Sequence, residues 1–446
     1  MDTFVIKGGK PLHGEVSVGG AKNVALKILI ASLLTDAEIV IKNVPHLSDV
    51  TALIDVLSEL GVRGTFEGHA VKIKNGNVTG EPTVSLDAGA RLRTSSMVLG
   101  PLLARYGKAT VPDPGGCRIG ARPIDRHIEG LRAMGADISY NSEDGFFHAT
   151  AKKLHGATIT FPKNTHTGTE TIILAAVLAQ GQTTIENAAE EVEIDDLILC
   201  LNQMGAKITR TKPRTIVIDG VKSLHGVHYT IMPDRNEEVT FAIAAAVTSG
   251  NVIVQNSQLN NLSAFLDAFT KAGGTYKKLD GQRTQYTRGD FLKQTDIITN
   301  PYPGFMTDWQ APWAVLMTQA KGTSTIHETV FESRFKYVDE LRKMGATIDF
   351  FNPKIENPQI FYNFNWGDRA PESHQAIRIT GPTKLHNAVM VADDIRAGAT
   401  LVLAALIASG VSYIHGVERI DRGYEKIEER LRKLGAKIKR TERIVP

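Results

Sequence analysis

Cysteine is scarce: Cys117 and Cys200 are the only two in 446 residues. Two thiols so far apart form neither a zinc-ligand spacing nor a disulfide framework, and free thiols point to a reducing compartment, with a cytoplasmic location expected. Long apolar runs are missing as well. The longest, at 24–34 and 401–408, are about half the length of a membrane span and read as buried helices. The opening Met-Asp-Thr-Phe-Val-Ile-Lys has neither the basic start nor the apolar stretch of a signal peptide. Charge of one sign is lacking too. With 51 basic against 48 acidic residues, the net charge of +3 argues against a nucleic-acid or membrane-surface partner. No Gly-x-Gly-x-x-Gly follows a strand, and no Gly-x4-Gly-Lys-Ser/Thr loop occurs, which leaves dinucleotide and P-loop sites unsupported. No histidine–carboxylate pair has metal-ligand spacing, so no metal site is expected. His127 and His166 stand alone and read as structural.

What remains is an ordinary globular composition, 42% apolar and 22% charged, long enough for two to four domains. One short pattern recurs six times: an apolar residue, three further positions, then glycine and a β-rich run. The glycines are Gly61, Gly135, Gly205, Gly273, Gly345 and Gly435, at intervals of about 70 residues except for a longer last one. Each marks a helix end, with glycine at the left-handed C′ position and a strand after it. A second landmark precedes each: an apolar, Ala-rich helix, then a turn at Asp36, Gly107, Gly181, Gly250, Gly322 or Gly410. Two landmarks at nearly constant offset predict six helix–strand–helix–strand units. Each unit has one helix apolar all round, hence buried, and one more polar outside. Pro233-Asp234-Arg235 begins the fourth unit and divides the six into three and three. Residues 353–376, rich in Pro, Asn and aromatics, read as a surface insertion in the sixth unit, a loop or short hairpin.

Several segments have the chemistry of an anion site. Gly19-Gly20-Ala21-Lys22-Asn23 precedes the first buried helix, where exposed N–H groups and a lysine attract an anion. The segment 112–123, with three prolines and three glycines, is an irregular loop carrying Cys117 near Arg118 and Arg122. Nearby cations favour the thiolate, whereas Cys200 in the apolar run 197–201 reads as inert. Asp308, in the stiff segment 301–312, is either an N-cap or a catalytic carboxylate. Arg93, Arg122, Arg334, Arg396 and Arg422 occupy similar loop-to-helix junctions. Together they suit a ligand with both phosphate and carboxylate groups.

These segments, with Phe331-Glu-Ser-Arg334, Asp394-Ile-Arg396 and Ile-Asp421-Arg422-Gly-Tyr-Glu, make the chain resemble the UDP-N-acetylglucosamine 1-carboxyvinyltransferase family of enolpyruvyl transferases. The resemblance runs over nearly the whole chain. It implies an α/β fold (α+β) described as a two-lobe inside-out barrel of six βαββαβ repeats, three per lobe. The lobes would be 20–232, with the cysteine loop near 112–123, and 1–19 plus 233–446, with the insertion. It implies transfer of the enolpyruvyl group of phosphoenolpyruvate to UDP-N-acetylglucosamine without metal or organic cofactor. Cys117 would be the proton donor and Asp308 the base. Lys22, Arg122 and Arg422 would hold phosphate, and Arg334 and Arg396 the carboxylate. Asn23, Arg93 and Val330 would touch the sugar nucleotide. Arg122, Pro123, Ile124, Asp125 and Arg126, with Lys163, Asn164, Thr165 and His166, would line the uridine and diphosphate. Asp49 and Asp394 would support. Thr167 and Val239 stand where the family usually has glycine. Two other readings stay open at this point: a transferase with a different acceptor, and a non-catalytic protein that binds a UDP-sugar. Intact Cys117, Asp308 and arginines weigh against the second.

Overall fold

The computed structural model describes residues 2–76, 81–115 and 120–442. They fall into two compact units, one of Gly20–Cys117 and Pro123–Met232, the other of Met1–Gly19, Arg118–Arg122 and Pro233–Pro446. Each has its own apolar core.

Six sheets are present among the described residues. In the first unit's opening sheet the order is His228–Thr230, Ile39–Lys42, Ala70–Asn75, Val62–Glu67. The outer strand runs parallel to its neighbour and the remaining pairs are antiparallel. The same order and sense recur in four further sheets. The sixth, Lys108–Pro112, Phe146–Thr150, Asp137–Asn141, has three strands, and the parallel neighbour is reduced to a single bridge between Thr83 and Thr110. In the sheet closing the second unit the third strand is Thr3–Lys7, paired antiparallel with both Val411–His415 and Lys437–Thr441. The first strand of the chain thus completes the last repeat. Strands alternate in burial, as in Ala70–Asn75, where Val71 and Ile73 enter the core and Lys72 and Lys74 face water.

The helices divide as their residues require. Lys22–Ala31, Leu99–Tyr106, His166–Ala176, Arg235–Val247, Thr307–Thr318 and Ile395–Ile407 have almost no polar face and are buried along most of their length. In the second unit the last three pack on one another. The partly exposed helices, such as Ser48–Glu59, Val192–Gln203 and Ile427–Lys433, each end at one of the six repeat glycines. All six glycines have φ between 80° and 98°, the left-handed conformation that a helix C-terminus needs and side chains resist. Three of them, Gly135, Gly205 and Gly345, also abut His155, His225 and His386. Each of these histidines donates its backbone N–H to the carbonyl of the methionine before the glycine.

In the fourth unit the turn before Gly250 contains a left-handed residue, Ser249 (φ 54°). Residues 353–376, read as a loop or short hairpin, form the loop that leads from Thr347–Phe351 into the paired strand Ala376–Gly381. They hold a short helix, Pro358–Phe361, and a stack of Tyr362 and Trp366 (4.7 Å between rings) beside His327. The aromatics of this segment give it a small packing surface, which a hairpin pattern does not require. Arg422 lies in a turn between Val417–Ile420 and Ile427–Lys433, outside the last helix.

Gly205 tests the repeat. A β-branched residue at φ 98°, with His225 3.2 Å from its Cβ, should destabilise the protein by about 2 kcal/mol. Gly367, which has nothing within 4 Å, should tolerate alanine within about 0.5 kcal/mol. Urea unfolding of Gly205→Val and Gly367→Ala measures both; equal stabilities would refute the role given to the repeat glycines.

Candidate active site

In the second unit, three charged side chains converge. Asp308 is the second residue of Thr307–Thr318, whose N-cap is Met306, so Asp308 does not cap the helix. Its carboxylate accepts from Arg334 Nη2 at 2.5 Å and lies 3.5 Å from Arg396 Nη2. Both guanidiniums are nearly buried, whereas Asp308 keeps a quarter of its side chain exposed. Pro312 has no N–H to complete the helical bond to the Asp308 carbonyl. Arg396 is fixed by its own helix start: Asp394 is the N-cap and accepts the Arg396 and Ala397 N–H groups at 2.8 and 3.0 Å. Its guanidinium lies 5.1 Å over the Tyr424 ring. Burial opposes the charge on Arg396, but Tyr424 and Asp308 outweigh it and keep the group firmly cationic. For Arg334 burial is likewise the largest influence, outweighed by Asp308, Asp394 and Glu328.

Glu328 carries no motif or spacing that would select it. Fully buried, it accepts from the Thr307 hydroxyl at 2.8 Å and from the Val330 and Phe331 N–H groups at 2.7 and 3.1 Å. It thereby ties the turn that carries Val330 to the start of the Asp308 helix. Burial pushes its carboxyl above the ordinary range against these stabilising contacts. Phe331 underlies Arg122 at 5.4 Å and Arg334 at 5.6 Å. Beside Arg122, Gly120 passes Glu332 so closely that a Cβ would overlap its Oε2, at 1.7 Å. Arg422 is half-buried.

The first unit has its own group. Lys22 opens Lys22–Ala31, and its Nζ is 3.1 Å from Asp49 Oδ2. A Cβ on Gly20 would lie 1.7 Å from the Asn43 carbonyl, which explains glycine there. Asn23 is next along the helix and half-buried. Arg93 begins a 3-10 turn, Arg93–Val98, and reaches the Pro114 carbonyl at 3.5 Å. Burial lowers its pKa, with Asp113 opposing. Exposed Pro123 and buried Ile124, the N-cap, lead into Asp125–Ala133. From that helix Arg126 donates to the Asn164 carbonyl at 3.3 Å. Asn164 in turn donates to the Ala188 carbonyl. Thr165 is the N-cap of His166–Ala176 and accepts from Gly168 N–H at 3.2 Å. Thr167 is occupied by His127 at 2.9 Å. Lys163 has its pKa lowered by burial and then by Arg126. Val239 is fully buried in Arg235–Val247, where glycine would leave a void. Cys117 lies outside the described residues. Cys200 is fully buried, and burial followed by Asp196 pushes its thiol up to about 12.

Chemically, the second group pairs a partly exposed carboxylate with two fixed cations, and the first offers helix N-termini, a lysine and an arginine. Both suit anionic ligands, and the carboxylate can accept a proton. A family model described as EPSP synthase (3-phosphoshikimate 1-carboxyvinyltransferase) matches residues 6–431. The UDP-N-acetylglucosamine 1-carboxyvinyltransferases of Hydrogenovibrio crunogenus and Coxiella burnetii are each 43% identical to this chain. They cover 99% of it, and the match spans 100% and 96% of their own lengths. The chain belongs to the UDP-N-acetylglucosamine 1-carboxyvinyltransferase family of enolpyruvyl transferases. The family fold is evident in solved structures too. The enolpyruvyl transferase NikO from Streptomyces tendae superimposes with a TM-score of 0.85 at 22% identity, covering 99% of both chains. An EPSP synthase from Acinetobacter baumannii gives 0.72 at 19% identity, covering 99% of this chain and 100% of its own. Among the described residues no helix is long and apolar enough to cross a membrane.

A thiol pushed up to about 12 and fully buried should resist alkylation. Iodoacetamide at pH 8 should leave Cys200 unlabelled in the native protein and label it after unfolding, as read by peptide mass spectrometry. Native labelling of Cys200 would contradict its placement.

Proposed function

We propose that this protein transfers the enolpyruvyl group of phosphoenolpyruvate to the 3′-hydroxyl of UDP-N-acetylglucosamine and releases phosphate, the first committed step of peptidoglycan synthesis. The supporting observation is 43% identity along the whole chain to relatives of that name. The anion-binding chemistry of both residue groups agrees with it. On this reading the reaction takes place in the cytoplasm.

In the proposed reaction the sugar oxygen bonds to C2 of the donor while C3 gains a proton. Loss of phosphate, with return of a C3 proton, restores the double bond. Asp308 accepts the hydroxyl proton, and Cys117 delivers the proton to C3. Arg334 and Arg396 hold the donor carboxylate. That carboxylate would share the guanidiniums now paired with Asp308, loosening their hold and leaving Asp308 freer to take a proton. Lys22, Arg122 and Arg422 hold the phosphate, with Asp49 and Asp394 orienting Lys22 and Arg396. Asn23, Arg93 and Val330 touch the sugar nucleotide. Residues 122–126 and 163–166 receive the uridine and diphosphate.

Phosphate release measured with phosphoenolpyruvate and a panel of acceptors tests the reading. UDP-N-acetylglucosamine should support turnover, and other UDP-sugars and shikimate 3-phosphate should not; the reverse preference would overturn it. Fosfomycin, an electrophilic mimic of the donor, should alkylate Cys117 and leave Cys200 free. Cys117→Ser should lose at least about 100-fold in turnover. Full turnover in that variant would remove the thiol from the mechanism.

A further inference from the structure

Three ionisable side chains are grouped inside the first unit, and two of them, Lys27 and Glu170, have no part in the chemistry above. Lys27, on Lys22–Ala31, is 3% exposed, and Glu170, on His166–Ala176, is fully buried. Lys27 Nζ lies 3.3 Å from Glu170 Oε2, and His166 Nε2 lies 3.2 Å from Glu170 Oε1. One carboxylate is shared between a lysine in the core and the histidine that opens its own helix. Burying such charges is costly, and apolar residues of the same volume commonly stabilise a core as well or better. The arrangement opens to solvent at its outer end, where His166 keeps a quarter of its side chain exposed.

The surroundings of that end are those of an anion site. His166 stands at the N-terminus of an eleven-residue helix. Lys163 precedes it by three residues, and Arg126 is held against the intervening Asn164 carbonyl. The charged groups around His166 are Glu170 on its own helix, Lys27 on the neighbouring helix and Glu191, the N-cap of Val192–Gln203. Burial opposes a charge on the imidazole. Glu170, by charge and by contact, and then Glu191 outweigh burial and the opposing Lys27, so the group titrates above its ordinary value.

We propose that His166 is a proton-dependent binding residue for the nucleotide substrate, its imidazolium held by Glu170 with Lys27 as the fixed counter-charge, so that it joins Lys163 and Arg126 on the diphosphate. Glu170 and Lys27 are positioning residues. This inference rests on the proposed function, which assigns residues 163–166 to the nucleotide. The sign follows from the histidine. Its charge is present below its pKa and is lost as pH rises through it, so nucleotide affinity falls over that interval. UDP-N-acetylglucosamine has no group on its diphosphate that titrates there.

Calorimetric titration of the intact protein with UDP-N-acetylglucosamine from pH 5.5 to 8.5 tests it, alongside NMR titration of the histidines. Wild type should lose affinity by up to about tenfold across the range, with its midpoint at the titration of His166. His166→Gln should bind with nearly constant affinity. Glu170→Gln should move the midpoint to lower pH, because the stabilising carboxylate is gone. The pair Lys27→Met with Glu170→Gln, which removes both core charges and leaves none unpaired, should do the same if the single variant folds poorly. An unchanged pH dependence in His166→Gln would assign the effect to another group, such as Lys163, and overturn the inference. A flat wild-type profile would overturn it too. Absence of UDP-N-acetylglucosamine binding at every pH would instead refute the proposed function on which it stands.

Discussion

The second unit is organised around a carboxylate caught between two guanidiniums. Asp308 meets Arg334 at 2.5 Å and Arg396 at 3.5 Å, and neither arginine has open water to dilute its charge. Buried cations of this kind need anionic company, so removing a partner without replacement leaves a charge stranded at a cost of several kcal/mol. That constraint explains why the neighbouring structure is so closely specified. Asp394 caps the helix that presents Arg396. Glu328 stitches the Val330 turn to the Asp308 helix, and Tyr424 and Phe331 supply ring faces. It also gives the site a chemical direction. An incoming carboxylate is a substitute anion, and its arrival is felt by Asp308 through the guanidiniums they share.

The repeat makes this construction economical. Each unit buries one helix end to end, and its N-terminus is the place where backbone donors remain unused. Lys22, His166, Asp308 and Arg396 all lie within two residues of the start of such a helix. The same feature that makes an all-apolar helix fold inward therefore delivers polar side chains to its end.

Much of this was legible in the sequence, for physical reasons. A helix with no polar face announces its burial, and a glycine at fixed distance from it announces a left-handed stop; all six glycines adopt that conformation. The paired histidines at 155, 225 and 386 were equally periodic, each following a leucine, but their role is a backbone bond that no side-chain chemistry reveals. Asp308 was ambiguous because a carboxylate near a helix start usually caps it; the cap fell on Met306 because the helix begins one residue before Asp308. Glu328 and Glu170 looked like any surface glutamates, since Thr307 and Lys27, which enclose them, come from distant segments. Lys27 did carry a signal, a charge in the middle of an apolar run. The packing of 353–376 was not legible because it depends on rings meeting across a segment without periodicity.

The account is tested most directly by turnover of Asp308→Asn measured beside its melting temperature. The asparagine keeps the size and a hydrogen-bond acceptor for Arg334 but cannot take the hydroxyl proton. Phosphate release should fall by at least about 100-fold while the protein still melts cooperatively as a folded domain. Turnover at the wild-type rate in a properly folded Asp308→Asn protein would show that the carboxylate between the guanidiniums is a structural fixture, and the account of the site would fail.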